Sequence, residues 1–143
     1  MDLRPSTAGD QAAIRGLLRD SRLPVADLDT AAIDFTVATD ATDLVGVVGL
    51  EPFDGVGLLR SLAVRDGERG RGIGEQLIGA IEARAAALGL QQLVLLTETA
   101  APFFAKRGYA AIVRDQAPAA VQYSAEFRSI CPASATCMIK SLG

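Results

Sequence analysis

The longest regular pattern of apolar and polar residues lies in the middle of the chain and predicts a helix between two strands. Its apolar positions are spaced mostly three or four apart and fall on one stripe of a helix: Ile73, Leu77, Ile78, Ile81, Ala85 and Leu88. Gly89 is a suitable C-terminal end for that helix. The apolar strand 57–64 precedes it, and the continuous apolar run 92–97 follows it. A strand, a helix and a strand in this order predict that the two strands pair in parallel.

Shorter patterns on both sides of this unit predict the remaining elements. Residues 7–10 resemble a capping box ahead of an amphipathic helix, which Pro24 ends, and a further helical turn near 25–28 stays open. The other predicted elements are a strand 3–5, a hairpin of strands 35–38 and 44–50, a helix 101–107, a strand 109–113, a helix 119–129 and a last strand 136–141. Hairpins give antiparallel neighbours, so the sequence predicts an α/β fold with a mixed central sheet and helices on both faces.

The composition is typical of one globular domain over residues 1–143. Apolar residues make up 50% of the chain, and the net charge of −3 argues against a nucleic-acid partner. No apolar run is long enough to span a membrane, and the N-terminal residues do not resemble a signal peptide, so a cytoplasmic location is expected. Because the chain has no histidine, neither a histidine base nor a metal site is expected.

A glycine- and arginine-rich turn joins the strand 57–64 to the central helix and predicts an anion site. Residues 65–74 read RDGERGRGIG. Glycines let the backbone approach a ligand closely, and the free N–H groups at the start of the helix favour a phosphate. The Arg69 and Arg71 side chains add donors and positive charge. The glycine spacing fits neither a Walker loop nor the G-x-G-x-x-G dinucleotide motif.

The pattern Arg69-x-x-Gly72-x-Gly74 after an apolar strand resembles the acetyl-CoA-binding motif of the GCN5-related N-acetyltransferase (GNAT) family. The resemblance extends to the order of elements over nearly the whole chain and implies the GNAT fold, with about six to seven strands. It implies acetyl-CoA as cosubstrate, with the pyrophosphate on the N–H groups of the turn and the pantetheine arm along the preceding strand. The implied cofactor-binding residues are Leu62, Ala63, Val64, Arg69, Gly70, Arg71, Gly72, Ile73 and Gly74.

Acetyl transfer to an amine requires a base, because an alkyl amine with a pKa of about 10 is protonated at neutral pH. Glu51 ends the strand 44–50 and is one candidate, and Glu98 at the end of the strand 92–97 is the other. Glu51 is also explained as a hydrated turn carboxylate, and Glu98 is also explained as a carboxylate that favours the dipole of the helix that follows it. Arg60, within an apolar strand, either faces solvent or binds an anionic group such as a substrate carboxylate. Thr97, beside Glu98, is also assigned to the substrate.

The segment 103–109 is similar to a later motif of the family, with one departure. The family's tyrosine, often the general acid, is replaced by Phe104, which cannot donate a proton. This departure argues against a tyrosine acid in this chain. Tyr109 matches the aromatic residue that follows the motif's glycine and is expected to pack in the core.

The C-terminal segment 127–138 resembles the tail of a small acetyltransferase subgroup that is associated with arsenic-resistance genes. This resemblance implies an arsenical as one kind of substrate, with Cys131 and Cys137 as thiol ligands. The two cysteines, which are expected to be reduced, are equally explained as small buried residues.

These features predict an acetyl-CoA-dependent N-acetyltransferase that acts on a small-molecule amine, either an amino acid or an arsenical. The amine is expected to attack the thioester directly, because no protein nucleophile with a partner base is evident. A CoA-binding or arsenical-binding sensor without catalysis is the alternative, since Phe104 replaces the acid. Acetylation of protein N-termini or lysines stays open, and so does a homodimer, which the family often forms.

Overall fold

Seven strands form one mixed sheet in the described part of the chain, which comprises the backbone of residues 1–143 and all side chains except those of Ser129 and Ile130 in a computed structural model. The strands are β1 (Asp2–Pro5), β2 (Asp34–Asp40), β3 (Asp43–Pro52), β4 (Val56–Val64), β5 (Gln92–Thr97), β6 (Ala110–Ile112) and β7 (Thr136–Ser141). They lie in the order β1-β2-β3-β4-β5-β7-β6. Neighbouring strands are antiparallel, apart from the parallel pair β4 and β5. The predicted mixed α/β sheet is confirmed.

Helices cover both faces of this sheet. They are α1 (Gln11–Asp20), α2 (Ile73–Ala87), α3 (Ala101–Ala105) and α4 (Ala119–Gln122). A capping box lies on the 3-10 turn Ala8–Asp10 that leads into α1, where the Asp10 carboxylate accepts a hydrogen bond from the Thr7 N–H at 2.7 Å. Residues 25–28 form hydrogen-bonded turns, and no assigned helix lies there. Within the described residues, no helix is long and apolar enough to cross a membrane.

The single helix predicted over 119–129 is wrong, because the structure divides this segment in two. The short helix α4 ends at Gln122, and a wider π-helical turn spans Glu126–Ile130. Between them, the Ser124 hydroxyl accepts a hydrogen bond from the Phe127 N–H at 3.2 Å. A serine side chain that takes a backbone N–H competes with regular helical bonding, and this explains the interruption.

The two faces of the sheet bury separate groups of apolar side chains. On one face, α2 and α3 cover residues that include Val45, Leu59, Leu93 and Leu95. On the other face, α1 covers a group around Val37 and Val47, and the segment from α4 to Phe127 covers Val56, Leu58 and Val94. Burial of this apolar surface is the main force that holds the strand ends in place.

A bulge interrupts β4 near its C-terminal end. Two residues of β4, Ser61 and Leu62, oppose the single residue Val48 of β3. The backbone of Ser61 has a φ of +59°, a left-handed conformation that residues with a side chain rarely adopt. The bulge therefore redirects the last residues of β4.

The parallel strands β4 and β5 pair over only a short distance. Their pairing runs from Val56 and Gln92 to Leu58 and Val94 and then stops. Both strands continue in the same direction, β4 to Val64 and β5 to Thr97. The C-terminal halves of the two strands consequently part and leave a gap in the sheet.

Candidate active site

A cleft of about 1400 Å³ opens where β4 and β5 part. Its walls are the ends of both strands, the turn before α2, the start of α3, the segment after α1, and residues of the segment that precedes β7. The carboxyl ends of parallel strands are a common place for ligands in α/β sheets, because loops and helix N-termini converge there. This cleft is therefore the candidate active site.

The glycine-rich turn forms one wall of the cleft and directs the start of α2 towards it. Gly70 and Gly72 have φ values of +89° and +76°, which glycine adopts without strain. Gly72 is the N-terminal cap of α2, so the first N–H groups of the helix lie next to the cleft wall. Their dipoles favour an anionic group at this position.

Most of the predicted cofactor-binding residues are brought together on the cleft wall. The residues that line it are Leu62, Ala63, Val64, Arg69, Gly70, Gly72, Ile73 and Gly74. Arg71 is not among the lining residues that the structure describes, because its guanidinium pairs instead with Glu68 and, at 3.3 Å, with Asp40. Arg69 is largely exposed and lies 3.5 Å from Asp66. The assignment of Arg71 to the cofactor stays a prediction, because an exposed ion pair can exchange its carboxylate for an incoming anion.

Arg60 is completely buried, and three carboxylates from distant parts of the chain surround its guanidinium. Asp27, after α1, accepts hydrogen bonds from Nη1 at 2.6 Å and from Nη2 at 2.8 Å. Glu51, in β3, accepts a bond from Nη1 at 3.2 Å, and Glu126 lies 3.5 Å from Nε. The bonds from Arg60 hold the pKa of Asp27 below its ordinary value. The predicted contact between Arg60 and a substrate is corrected, because protein carboxylates occupy its guanidinium.

Glu51 does not reach the cleft as the predicted base would. Its side chain is buried against Arg60, and it is absent from the described residues that line the cleft. Burial raises the pKa of Glu51, although the Arg60 charge opposes this shift. The prediction of Glu51 as a base is therefore corrected to a partner of Arg60.

Glu98 and Thr97 both lie on the cleft wall, at the end of β5. Glu98 is exposed to solvent. The Thr97 hydroxyl accepts a hydrogen bond from the Ala100 N–H at 3.0 Å, immediately before α3. Thr97 thus has a structural contact at the start of this helix. Its hydroxyl oxygen accepts that bond, and its hydroxyl hydrogen is still able to donate to another group.

Glu126 is a cleft residue that the sequence did not predict. Only 3% of it is exposed, and it lines the cleft from the π-helical turn before β7. Burial raises the pKa of the Glu126 carboxyl to about 7, although the nearby Arg60 charge lowers it. The one feature of the sequence that could have indicated this position is an acidic residue between Ala125 and Phe127, in a segment whose neighbouring residues are largely apolar.

The two cysteines lie in different surroundings. Cys131 lines the cleft, whereas Cys137 is buried in the core on β7 and is absent from the described lining. Burial and the neighbouring Glu126 raise the pKa of the Cys131 thiol to about 12, and burial also raises the pKa of Cys137. The predicted substrate contact of Cys137 is corrected, because its side chain packs among apolar residues.

The aromatic residues of the 103–109 segment serve mainly for packing. Phe104 is buried and packs edge-on against both Phe103 and Tyr109. The Tyr109 hydroxyl donates a hydrogen bond to Glu82 at 2.8 Å, and burial raises the pKa of Tyr109. Tyr109 is buried in the core, as predicted.

The chain is similar in sequence to known acetyltransferases. The model of the acetyltransferase (GNAT) domain family matches residues 31–111. An amino-acid acetyltransferase of Ralstonia nicotianae is 34% identical over 93 residues, which cover 64% of this chain and 21% of that protein. This chain therefore spans about a fifth of the length of the curated relative that it matches.

Solved structures share the fold at lower identity. N-acetylglutamate synthase of Neisseria gonorrhoeae, in complex with coenzyme A and N-acetyl-glutamate, superimposes with a TM-score of 0.84 at 21% identity. The match covers 99% of this chain and 35% of the synthase chain. An acetyltransferase of the GNAT family from Staphylococcus aureus gives a TM-score of 0.80 at 14% identity and covers 99% of both chains. The mixed sheet and its helices therefore have the GNAT fold.

Proposed function

This chain belongs to the GNAT acetyltransferase family, and we propose that it transfers the acetyl group of acetyl-CoA to the amino group of a small molecule. The observation that carries the proposal is the cleft between the parted ends of β4 and β5. The N-terminus of α2, with its glycine cap, forms one wall of this cleft. This arrangement offers an anion site and free strand edges side by side, as a long phosphate-bearing thioester requires.

In this proposal, the donor lies along the end of β4. Its pyrophosphate faces the N–H groups at the start of α2, near Gly72 and Gly74, and its pantetheine arm follows residues 62–64. The edge of β4 that faces β5 has lost its ladder partner beyond Leu58, so backbone groups there are available to a ligand. The N–H groups of this segment are the donors that we expect at the developing oxyanion.

The amine attacks the thioester directly in the proposed reaction. An acyl-enzyme would need a thiolate, but both thiols have raised pKa values and stay protonated at neutral pH. Phe104 supplies no proton to the leaving sulfur, and this is tolerable because a thiolate is a fair leaving group. The demanding step is the removal of a proton from the acceptor amine.

The acceptor that we propose is an amino acid. The support is the 34% identity to an amino-acid acetyltransferase, together with the similar fold of a synthase solved with N-acetyl-glutamate. An amine-bearing arsenical is a second candidate, favoured by the presence of the Cys131 thiol on the cleft wall. Cys137 in the core gives that candidate no support.

A thiol-release assay with acetyl-CoA tests the proposal against amino acids, polyamines, lysine peptides and amino-acid arsenicals. We expect turnover with an amino acid. Faster turnover of lysine peptides than of every small amine would contradict a small-molecule acceptor. Tight binding of acetyl-CoA by calorimetry without any turnover would contradict the proposed acetyltransferase activity and favour a CoA-binding sensor.

The arsenical candidate has its own control pair. If an arsenical is accepted through the cleft thiol, Cys131→Ser raises its KM, whereas Cys137→Ser leaves that KM unchanged. Equal KM values in the wild-type protein and in both variants would exclude a thiol contact with the arsenical.

A further inference from the structure

Glu126 occupies an unusual position beside the bulge of β4. Its Oε2 lies 3.5 Å from the Arg60 Nε, and the same Nε donates a hydrogen bond to the Ser61 hydroxyl at 3.2 Å. Ser61 is the residue of the bulge with a φ of +59°. The carboxyl group of Glu126 is therefore tied to the point where β4 turns away from β5 and the cleft begins.

The charges around Glu126 are unequal, and this leaves one carboxyl group available for protonation. Three carboxylates, Asp27, Glu51 and Glu126, share the single positive charge of Arg60. Asp27 forms the two short bonds to the guanidinium, at 2.6 and 2.8 Å, whereas Glu126 makes the longest contact. Three buried negative charges on one cation are costly, so the least compensated carboxyl group binds a proton most readily.

The other groups that face Glu126 add no further charge beside its carboxyl group, and a hydrogen bond from Cys131 lowers its pKa by less than burial raises it. The Cys131 thiol lies beside its carboxyl group and stays neutral because of its raised pKa. Arg114 donates from Nη2 to the backbone oxygen of Glu126 at 3.3 Å, so this guanidinium contacts the main chain of the π-helical turn. The carboxyl group thus meets one cation, two carboxylates and a neutral thiol.

We propose that Glu126 is the general base that removes a proton from the acceptor amine; this inference rests on the proposed function. The ammonium group gives one proton to the Glu126 carboxylate, and the free amine attacks the thioester carbonyl carbon. The C–N bond forms, the C–S bond breaks, and one of the two protons on nitrogen passes to the departing sulfur while the other stays on the amide. Glu126 then releases its proton to solvent through the cleft, so that the overall products are an amide, free CoA and one proton.

The protonation behaviour of Glu126 suits this role. Its pKa of about 7 makes it a stronger base than an exposed carboxylate while leaving much of it ionised at neutral pH. Glu98 is exposed at the rim of the cleft and lacks such surroundings. Glu51 is buried but does not belong to the described lining of the cleft. Asp27 and Arg60 act as positioning residues that hold Glu126 beside the bulge.

The test compares Glu126→Gln with the wild-type protein, using acetyl-CoA and L-glutamate, or the amino acid that the acceptor panel turns over fastest. Glutamine keeps the shape of the protonated side chain and removes the base. We expect kcat to fall by about 100-fold or more, the usual contribution of a general base. We also expect the acidic limb of the wild-type pH profile of kcat/KM, which reports the pKa of the free protein near 7, to disappear.

Two further variants make the test specific. Asp115→Asn changes an exposed carboxylate in the same C-terminal part and should leave both kcat and the acidic limb of kcat/KM unchanged. Glu126→Asp keeps the charge but withdraws it by one methylene group, so it should retain the limb at a reduced kcat. It also serves as the test variant if Glu126→Gln fails to bind acetyl-CoA by calorimetry.

The outcomes separate this inference from the function on which it rests. No turnover by the wild-type protein with any amine would overturn both. An active wild-type protein together with an active Glu126→Gln variant that keeps the limb near pH 7 would overturn the role of Glu126 alone. Loss of the limb in Glu98→Gln and its persistence in Glu126→Gln would assign the base to Glu98.

Discussion

Two regions of this molecule bring arginines and carboxylates together, and they differ in burial. Around the turn before α2, Arg69 and Arg71 pair with acidic neighbours at the surface. Under the bulge of β4, Arg60 pairs with Asp27, Glu51 and Glu126 at full burial. The exposed pairs are screened by water and contribute little to stability, whereas the buried cluster is costly to form and costly to break. The turn is thus suited to exchanging partners with an incoming anion, and the cluster is suited to holding its members in one geometry.

The largest expected effect is the loss of the cation in the buried cluster. Arg60→Met keeps the length of the side chain but leaves three buried carboxylates without their common partner. We expect the free energy of unfolding to fall by about 3–5 kcal/mol, the usual cost of breaking a buried pair from one side. Urea denaturation at pH 7 measures this change. A loss below about 1 kcal/mol would mean that the buried cluster behaves like a surface pair.

The second effect concerns the pH dependence of stability. The Glu126 carboxyl has a pKa of about 7 in the folded chain, and about 4.3 is usual in an unfolded chain. Between these values the folded chain binds more protons, so its free energy of unfolding falls as the pH rises from about 4 to about 7. The difference in the free energy of unfolding between the wild-type protein and Glu126→Gln should therefore fall by at most about 3 kcal/mol over this pH range.

Two neighbours of Glu126 also titrate, but they leave this comparison interpretable. Burial raises the pKa of Glu51, which gives a fall of the same sign in both proteins. Because the pKa of Asp27 is lowered in the folded chain, its charge stabilises the fold at pH values above its pKa in the unfolded chain. This stabilisation is lost only as the pH falls below about 4, outside the range from pH 4 to pH 7. Parallel stability curves for wild type and Glu126→Gln between pH 4 and pH 8 would contradict the raised pKa of Glu126.

The third effect belongs to the exposed turn. Gly72 has a φ of +76°, so Gly72→Ala should destabilise the fold by about 1–2 kcal/mol and weaken acetyl-CoA binding, as calorimetry would detect. Gly79→Ala is the matched control, because Gly79 lies within α2 and a Cβ there would meet nothing within 4 Å. Alanine at that position should stabilise the helix by up to about 1 kcal/mol and leave acetyl-CoA binding unchanged. Equal losses in both variants would remove the special role of the left-handed cap.

The same contrast explains how much of the structure could be predicted from the sequence. The turn and α2 are local features: their glycines and their apolar spacing lie within about two dozen neighbouring residues, so the pattern alone predicts them. The strands of the mixed sheet are predictable for the same reason. Strand–helix–strand spacing also predicts the parallel pairing of β4 and β5, which the structure confirms.

The buried cluster could not be predicted, because its members are distant in sequence. Asp27 lies 33 residues before Arg60, and no local pattern indicates that the two side chains meet. The bulge adds a second obstacle: Ser61 takes a left-handed conformation that its residue type does not suggest, and strict alternation of faces along β4 then fails. The sequence therefore leaves Arg60 open between solvent and a bound anion such as a substrate carboxylate, and it does not predict Glu126 in the cleft.

The smallest effect tests the exposed member of the comparison. Arg71 pairs with Glu68 and Asp40 at the surface, with about half of its side chain exposed (47%). We expect Arg71→Gln to lower the free energy of unfolding by about 0–1 kcal/mol, and we expect the difference to shrink further at high salt because exposed charges are screened. Urea denaturation at low and high salt measures both changes. A salt-independent loss of several kcal/mol would place Arg71 in the same class as Arg60, and burial would then no longer explain how the two regions differ.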